Sequence, residues 1–275
     1  MDIITKPTVI SQTPEFQKEN IHIKDPDKVE EIVTAFINGG HIKFQVVSDF
    51  DRTITRHHFN GKEVPTTHGE CIFNIFLLNN VEHWWSELYG MIIETGMHKE
   101  DISKMVEQSD IVLREGCDLL FKVLEDNNVP LTVCTAGITD ILNAVMTYQA
   151  TLYDNISVMG NKMDFDANGK IVGISCNGTV INHYNKGEIT RINRDYFEQH
   201  MERTNVLLMG DSIGDLDMAD GLIHADVLKI GFLNSHVEQN LEVYKSKFDI
   251  VVVDDSTMDV PNAVVNKIML SSQET

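Results

Sequence analysis

Three short apolar runs, each breaking off at a polar and chemically able residue, constrain this chain more than any other feature. Ile42-Lys43-Phe44-Gln45-Val46-Val47-Ser48 ends on Asp49, Val129-Pro130-Leu131-Thr132-Val133-Cys134 ends on Thr135, and Asn205-Val206-Leu207-Leu208-Met209 ends on Gly210-Asp211. Runs this short and this apolar read as buried strands. Val227 to Ile230 and Asp249 to Val253 are candidates for a fourth and a fifth. Helical patterns lie between them: Asp25 to Asn38 closed by Gly39-Gly40, Asp110 to Asp126 closed by Asn127-Asn128, and about Thr139 to Gln149. The alternation predicts an α/β fold with a doubly wound parallel sheet. Ligands of such sheets bind beyond the carboxyl ends of the strands, so the three strand ends point to one shared site.

Two stretches break the alternation. Between the first and second strands lie about 60 residues that include Phe73, Phe76, Trp84, Trp85 and Tyr89, too many for an ordinary connection. They read mostly helical and predict an inserted helical cap over 58–111, leaving 1–57 and 112–275 as the core. A second, smaller insertion at about 157–184 reads as β-hairpins turning at Asp166-Ala167-Asn168-Gly169 and Asn177-Gly178.

With 275 residues, of which 42% are hydrophobic, the chain suffices for such a core and its insertion. Its 22 Lys+Arg against 42 Asp+Glu give a net charge of −20, which repels nucleic acid and acidic membranes. An anionic substrate then needs a metal or a placed lysine to invert the local field. Cys71, Cys117, Cys134 and Cys176 form no C-x-x-C pair and read as free thiols of a reducing compartment. The N-terminus lacks the pattern of a signal peptide and no run of about 18 apolar residues occurs, so a cytoplasmic protein without a membrane span is expected. The sequence leaves the oligomeric state open, with a monomer as the default expectation.

The first strand end reads Asp49-Phe50-Asp51-Arg52-Thr53. Two acids two apart can face one cavity, one to attack phosphorus as a nucleophile and the other to give and take a proton. An acidic turn after a strand is the plainer account of the same residues. Thr135-Ala136-Gly137 offers a hydroxyl and main-chain N–H groups at a helix start, suited to a phosphoryl oxygen, although threonine is also an ordinary N-cap. Lys186, in His183-Tyr184-Asn185-Lys186-Gly187, can neutralise a second oxygen or simply be solvated. Gly210-Asp211-Ser212-Ile213-Gly214-Asp215-Leu216-Asp217 would place an oxygen-rich pocket beside Asp49, which suits Mg²⁺.

Acid pair, hydroxyl, lysine and acid cluster follow one another at 49, 135, 186 and 211. That order resembles the haloacid dehalogenase superfamily, whose phosphatases carry these four motifs in sequence. DFDRTITRHHFNGKEVPTTH, SDIVLREG, VPLTVCTAGITDIL, MDFDANGKIVG, HYNKGE, VLLMGDSIGDLDMADG and LKIGFLN further resemble the type III cytosolic 5′-nucleotidases, from about Asp25 to about residue 270. That family acts on pyrimidine nucleoside monophosphates and, in some members, on 7-methylguanosine monophosphate. The resemblance implies Mg²⁺-dependent hydrolysis of a nucleoside 5′-monophosphate through a phospho-Asp49 intermediate. It makes Asp49 nucleophile and metal ligand, Asp51 the acid/base with its carbonyl on the metal, Asp211 a further ligand and Asp215 a support of the metal shell. Thr135, with Ala136, takes the place of the family's usual serine, and Lys186 contacts the phosphate.

The resemblance breaks in the predicted cap. The family's Glu-x-Asp-Pro segment, whose glutamate contacts the base, has no equivalent between His68 and Trp84, and Leu88 stands where the family has a base-contacting serine. Trp84 or Trp85 can stack a base or pack the cap, and His68 can line the cleft. Two other functions therefore stay open, a phosphomonoesterase for a non-nucleotide small molecule and an inactive binding protein on the same fold. Asp164 to Gly169 imitates an EF-hand start, but Ser175 falls where calcium needs a glutamate.

Overall fold

In the computed structural model, which describes residues 8–67, 81–222 and 225–271, the apolar runs are strands of one sheet. In chain order the strands are β1 (Ile21–Ile23), β2 (Phe44–Ser48), β3 (His58–Phe59), β4 (Lys62–Glu63), β5 (Leu131–Ile138), β6 (Ile156–Phe165), β7 (Ile171–Ser175), β8 (Asn205–Gly210), β9 (Asp226–Leu233) and β10 (Ile250–Val253). The helices are α1 (Pro26–Gly39), α2 (Val81–Glu94), α3 (Asp101–Gln108), α4 (Cys117–Asp126), α5 (Thr139–Gln149), α6 (Gly187–Ile192), α7 (Arg194–Gln199), α8 (Val237–Lys247) and α9 (Asp259–Ser271). Eight strands run in the order β1-β10-β9-β8-β2-β5-β6-β7, and β3 with β4 forms a separate hairpin. The six inner strands are parallel, while β1 and β7 pair antiparallel at the two edges.

Alternate residues of each strand serve opposite layers, as a period of two demands. Phe44 and Val46 of β2 and Leu207 and Met209 of β8 face a core shared with α1, α4 and α9. Val47, Val206 and Leu208 face a second core with Ile189 of α6, Phe197 of α7 and Met218. Both faces are thus covered, which is the doubly wound arrangement expected. α1 starts where Asp25 accepts a hydrogen bond from the Lys28 N–H, and it stops at Gly40, whose φ of +61° suits glycine.

Three local expectations change. Residues 110–116 are not helical: the Arg56 N–H donates to the Val112 carbonyl and the Arg114 N–H to that of Ile54, so this stretch runs beside residues 54–56 and α4 begins only after Gly116. β5 does not end at Cys134 but continues to Ile138, with Thr135-Ala136-Gly137 bulging between the Cys134–Met159 and Ile138–Asn161 pairs. β6, expected as part of an inserted hairpin, first pairs parallel with β5 in the main sheet and only then turns at Asp166–Gly169 into β7.

Candidate active site

Asp49 extends the line of β2, its N–H donating to the Met209 carbonyl of β8, and its side chain is buried. Lys186, just before α6, donates to Asp49 Oδ1 and, at 2.5 Å, to Asp215 Oδ1. The Thr53 hydroxyl donates to Asp49 Oδ2 at 3.1 Å. Asp215 is held from its other side by the Ser212 N–H at 2.8 Å, within a reciprocal turn at the start of residues Ile213–Ala219. This turn requires Gly210, because a Cβ there would lie 2.4 Å from the Cβ of Asp215. One carboxylate oxygen from each of Asp49, Asp211 and Asp215 lies within 4.8 Å of the others.

Three acids around one ammonium leave the pocket with unbalanced negative charge. Burial pushes the Asp49 carboxyl up to about 7; Lys186 pulls the other way, and Asp215 and Asp51 add to the rise. Burial, then Asp215 and Asp49, push Asp211 well above the usual carboxylate range. Burial alone would lower Lys186, but Asp215 and Asp49 outweigh it and hold the ammonium well above its ordinary value. An all-oxygen donor set with surplus charge fits a hard divalent cation.

Thr135 sits in the β5 bulge with its Oγ1 accepting the Gly137 N–H at 2.8 Å, so its own proton points elsewhere. A Cβ at Gly137 would be 2.8 Å from Asp51 Oδ2 and 3.1 Å from Thr135 Oγ1, which places both candidate groups around one glycine. Ala136 offers its carbonyl to Asn161 Nδ2 at 2.8 Å. Sequence order thus finds Asp49, Asp51, Thr135, Ala136, Lys186, Asp211 and Asp215 about one strand-end site. The base-side candidates differ. Trp85 is buried, edge-on to Tyr89 and 6.4 Å from the His183 ring. Leu88 is a core residue with 1% exposure. Trp84 belongs to α2, but its side chain, like all of His68, lies outside the described residues.

Five supporting residues went unread in the sequence. Arg114 is buried under the loop that follows Asp49 and donates to the carbonyls of Thr53 (2.7 Å), Arg52 (2.6 Å) and Ser256 (2.5 Å) and to Asn234 Oδ1 (2.6 Å). Asp255 pairs with it at 3.0 Å. Tyr244 donates its hydroxyl proton to the Asp211 carbonyl at 2.6 Å. Asn161 ties Ala136 to the Ile181 carbonyl, and Thr67 binds Asp51. Arg114 in SDIVLREG and Thr67 near the end of DFDRTITRHHFNGKEVPTTH are the signals among these that a motif search could have raised.

Residues 76–269 match the family model described as Pyrimidine 5'-nucleotidase (UMPH-1). The chain belongs to this pyrimidine 5′-nucleotidase family. It is therefore an enzyme, a 5′-nucleotidase. The 7-methylguanosine phosphate-specific 5'-nucleotidase of Homo sapiens is 35% identical over 282 residues, spanning 92% of this chain and 93% of that one. The crystal structure of cytosolic 5'-nucleotidase IIIB bound to cytidine superposes with a TM-score of 0.83 at 27% identity, covering 97% of this nucleotidase and 99% of that chain. A HAD-family hydrolase from Salmonella enterica serovar Typhi, 13% identical with a TM-score of 0.56 over 83% of this chain and 73% of its own, shares the fold. The nucleotidase accordingly has a haloacid-dehalogenase-like core.

Proposed function

We propose that this nucleotidase hydrolyses nucleoside 5′-monophosphates, pyrimidine ones such as CMP and UMP and also 7-methyl-GMP, through a phosphoryl group carried on Asp49, with Mg²⁺ as cofactor. The observation that carries the reading is the Asp49 carboxylate, buried at the end of β2 between Lys186 and Thr53 and within reach of Asp211 and Asp215. The side chains of Asp49 and Asp211 and the Asp51 carbonyl would hold the ion, with Asp215 fixing Lys186 beside it. When bound, the ion offsets the acids and polarises phosphoryl oxygens.

Asp49 attacks phosphorus while the bond from phosphorus to the ester oxygen breaks, and Asp51 gives its proton to the departing O5′. Lys186 and the Thr135 hydroxyl offset charge on the phosphoryl oxygens. Asp51, now ionised, takes a proton from water as that water's oxygen attacks phosphorus. The bond between phosphorus and Asp49 breaks, phosphate leaves, and both carboxyl groups return to their starting state.

Residues 58–111 would serve as the cap that closes over this chemistry and excludes water. The base preference is drawn from the relatives, one named for 7-methylguanosine phosphate and one holding cytidine. The protein would act as a monomer in the cytoplasm. Cys117, Cys134 and Cys176 are buried free thiols, no helix among the described residues is long and apolar enough to cross a membrane, and a Caenorhabditis elegans relative is named putative cytosolic 5'-nucleotidase 3.

A phosphate-release panel tests the reading. CMP, UMP, 7-methyl-GMP, phosphoserine and a sugar phosphate are compared with Mg²⁺ and with EDTA. Mg²⁺-dependent release from a nucleotide, faster than from the other esters, is expected. Equal or faster release from a non-nucleotide would replace the nucleotidase reading with a general phosphomonoesterase, and no release from any ester would leave a binding protein.

A further inference from the structure

Asp51 is gripped at two points by one residue. Its Oδ1 accepts the Thr67 main-chain N–H at 2.7 Å, and its Oδ2 accepts the Thr67 hydroxyl at 2.7 Å. Thr67 is fully buried although it belongs to the irregular stretch that follows β4. Gly137 makes room for it: a Cβ at that position would stand 1.8 Å from Thr67 Oγ1. Three separate segments, the β2 end, the residues after β4 and the β5 bulge, are therefore fitted around one carboxylate.

Two hydrogen bonds to two oxygens fix the carboxyl plane as well as its position. The two donors also differ in kind. A main-chain N–H can only donate, whereas a hydroxyl donates to a carboxylate and, by rotating, accepts from a carboxylic acid. Thr67 can thus hold Asp51 before and after the acid gives up its proton. A group that must be acid in one step and base in the next needs such a partner.

We propose that Thr67 is a positioning residue for Asp51 in proton transfer to the leaving oxygen, and that Gly137 is the gap through which it reaches the carboxylate. The proposal rests on Asp51 being the acid/base of the proposed function. It carries a signature that general loosening of the fold would not produce. A nucleoside departs as an alkoxide unless it is protonated, whereas p-nitrophenolate leaves as a stable anion and needs little help. Loss of the clamp should therefore slow the first and spare the second. The comparison is made on kcat/KM, which covers the steps up to leaving-group departure and not the later attack of water.

The test uses the full chain with Mg²⁺, and CMP and p-nitrophenyl phosphate as probes. Thr67→Val is expected to lower kcat/KM about tenfold or more for CMP and by less than about threefold for p-nitrophenyl phosphate, a fraction of what a general acid contributes. Thr67→Ser, which keeps the hydroxyl, should recover most of the loss. Gly137→Ala, whose Cβ would crowd Thr67 Oγ1 at 1.8 Å and Asp51 Oδ2 at 2.8 Å, should show the same selective loss, and Thr67→Ala stands in if Thr67→Val does not fold. Equal losses on both esters, or no loss on CMP, overturn the inference. Asp51→Asn separates the two ideas. If it hydrolyses CMP at the wild-type rate, the acid/base reading itself fails. If it loses CMP selectively while Thr67→Val and Gly137→Ala do not, the reading stands and the Thr67 inference falls.

Discussion

The strand-end floor and the α2 side of the molecule are held by different forces. On the floor, Lys186 bridges Asp49 and Asp215, Arg114 spreads its guanidinium over three carbonyls and Asn234, and Tyr244 secures the Asp211 carbonyl. On the α2 side, Trp85, Leu88, Tyr89 and Ile92 sink into the apolar core. Polar contacts at Tyr89 join the two: Asn161 donates to both the Tyr89 hydroxyl and the Ala136 carbonyl at 2.8 Å, and the Tyr89 hydroxyl donates to the Ala136 carbonyl at 3.4 Å. Hydrogen bonds between charged groups fix direction, whereas apolar burial fixes only proximity. The floor therefore has one geometry, as chemistry at phosphorus requires, while the α2 side can repack as sequence changes. That difference would let a chain keep the proposed catalytic set while the residues proposed to face the base change.

The sharpest way to break this contrast is to remove the proposed nucleophile. Asp49→Asn keeps the side-chain shape and its Thr53 neighbour but removes the attacking oxygen anion. Hydrolysis of every ester should fall by about 10⁴-fold or more, as it does when a covalent nucleophile is lost. Single-turnover phosphate release checks this. Residual turnover within about tenfold of wild type would mean that Asp49 is not attacked through.

Next comes the support beneath it. Burial, partly countered by Asp255, lowers Arg114 to about 10, so the guanidinium stays charged at neutral pH. Arg114→Lys keeps a charge but cannot fork to four acceptors. Taking the Arg114 donors from the buried Thr53 and Ser256 carbonyls and from Asn234 Oδ1 should cost about 2–4 kcal/mol of stability. Because Arg52 and Thr53 then lose their anchor, kcat should drop several-fold with KM little changed. Denaturant unfolding and steady-state kinetics together decide it, and a stable, fully active variant would show that the floor does not depend on this fork.

The sequence made the floor legible and the α2 side much less so, for physical reasons. Asp49 and Asp211 lie far apart in the chain, but each follows an apolar run that reads as a strand, so their convergence follows from strand direction, whereas Lys186 was legible only through its place in the order of motifs. The bulge at Thr135-Ala136-Gly137 leaves no periodic trace, since it only adds residues to a run that is apolar anyway. Arg114 was hidden because residues 110–116 copy a helical pattern, while the bonds that hold them extended reach to Ile54 and Arg56 across the fold. Trp85 and Leu88 are the converse. Large apolar residues can stack a base or fill a core, and only packing distinguishes the two.

Leu88 offers a test of that distinction. Leu88→Ser introduces the residue type expected at this position for base contact. The side chain is buried in the core, so the change removes apolar burial and buries a hydroxyl, at about 2–4 kcal/mol. Thermal unfolding should show the loss clearly. The ratio of kcat/KM for CMP and 7-methyl-GMP should move less than about threefold. A larger shift would make position 88 part of base selection and bring the α2 side nearer to the floor in precision.

The smallest effect lies in the floor's own cost. Without a cation, Asp49 titrates near 7 in the folded protein against 3.8 for an unperturbed carboxyl. Between those values the folded state keeps a proton that the unfolded chain releases. A raised carboxyl therefore contributes stability that is present below about pH 4 and is lost as pH rises through about 7. Metal-free wild type should lose more stability than metal-free Asp49→Asn between pH 4 and 7, because the amide has no proton to give up. Carboxylates away from the site act alike in both proteins and cancel, while Asp211, which Asp49 helps to raise, is raised less in the variant and adds to the contrast. Mg²⁺ should flatten the wild-type slope, since an ion among Asp49, Asp211 and Asp215 favours the ionised carboxylate. Parallel pH slopes for the two EDTA-treated proteins would mean that Lys186 alone balances the nucleophile. The floor would then be rigid without being charged against itself, and the need for a cation would have to come from the substrate.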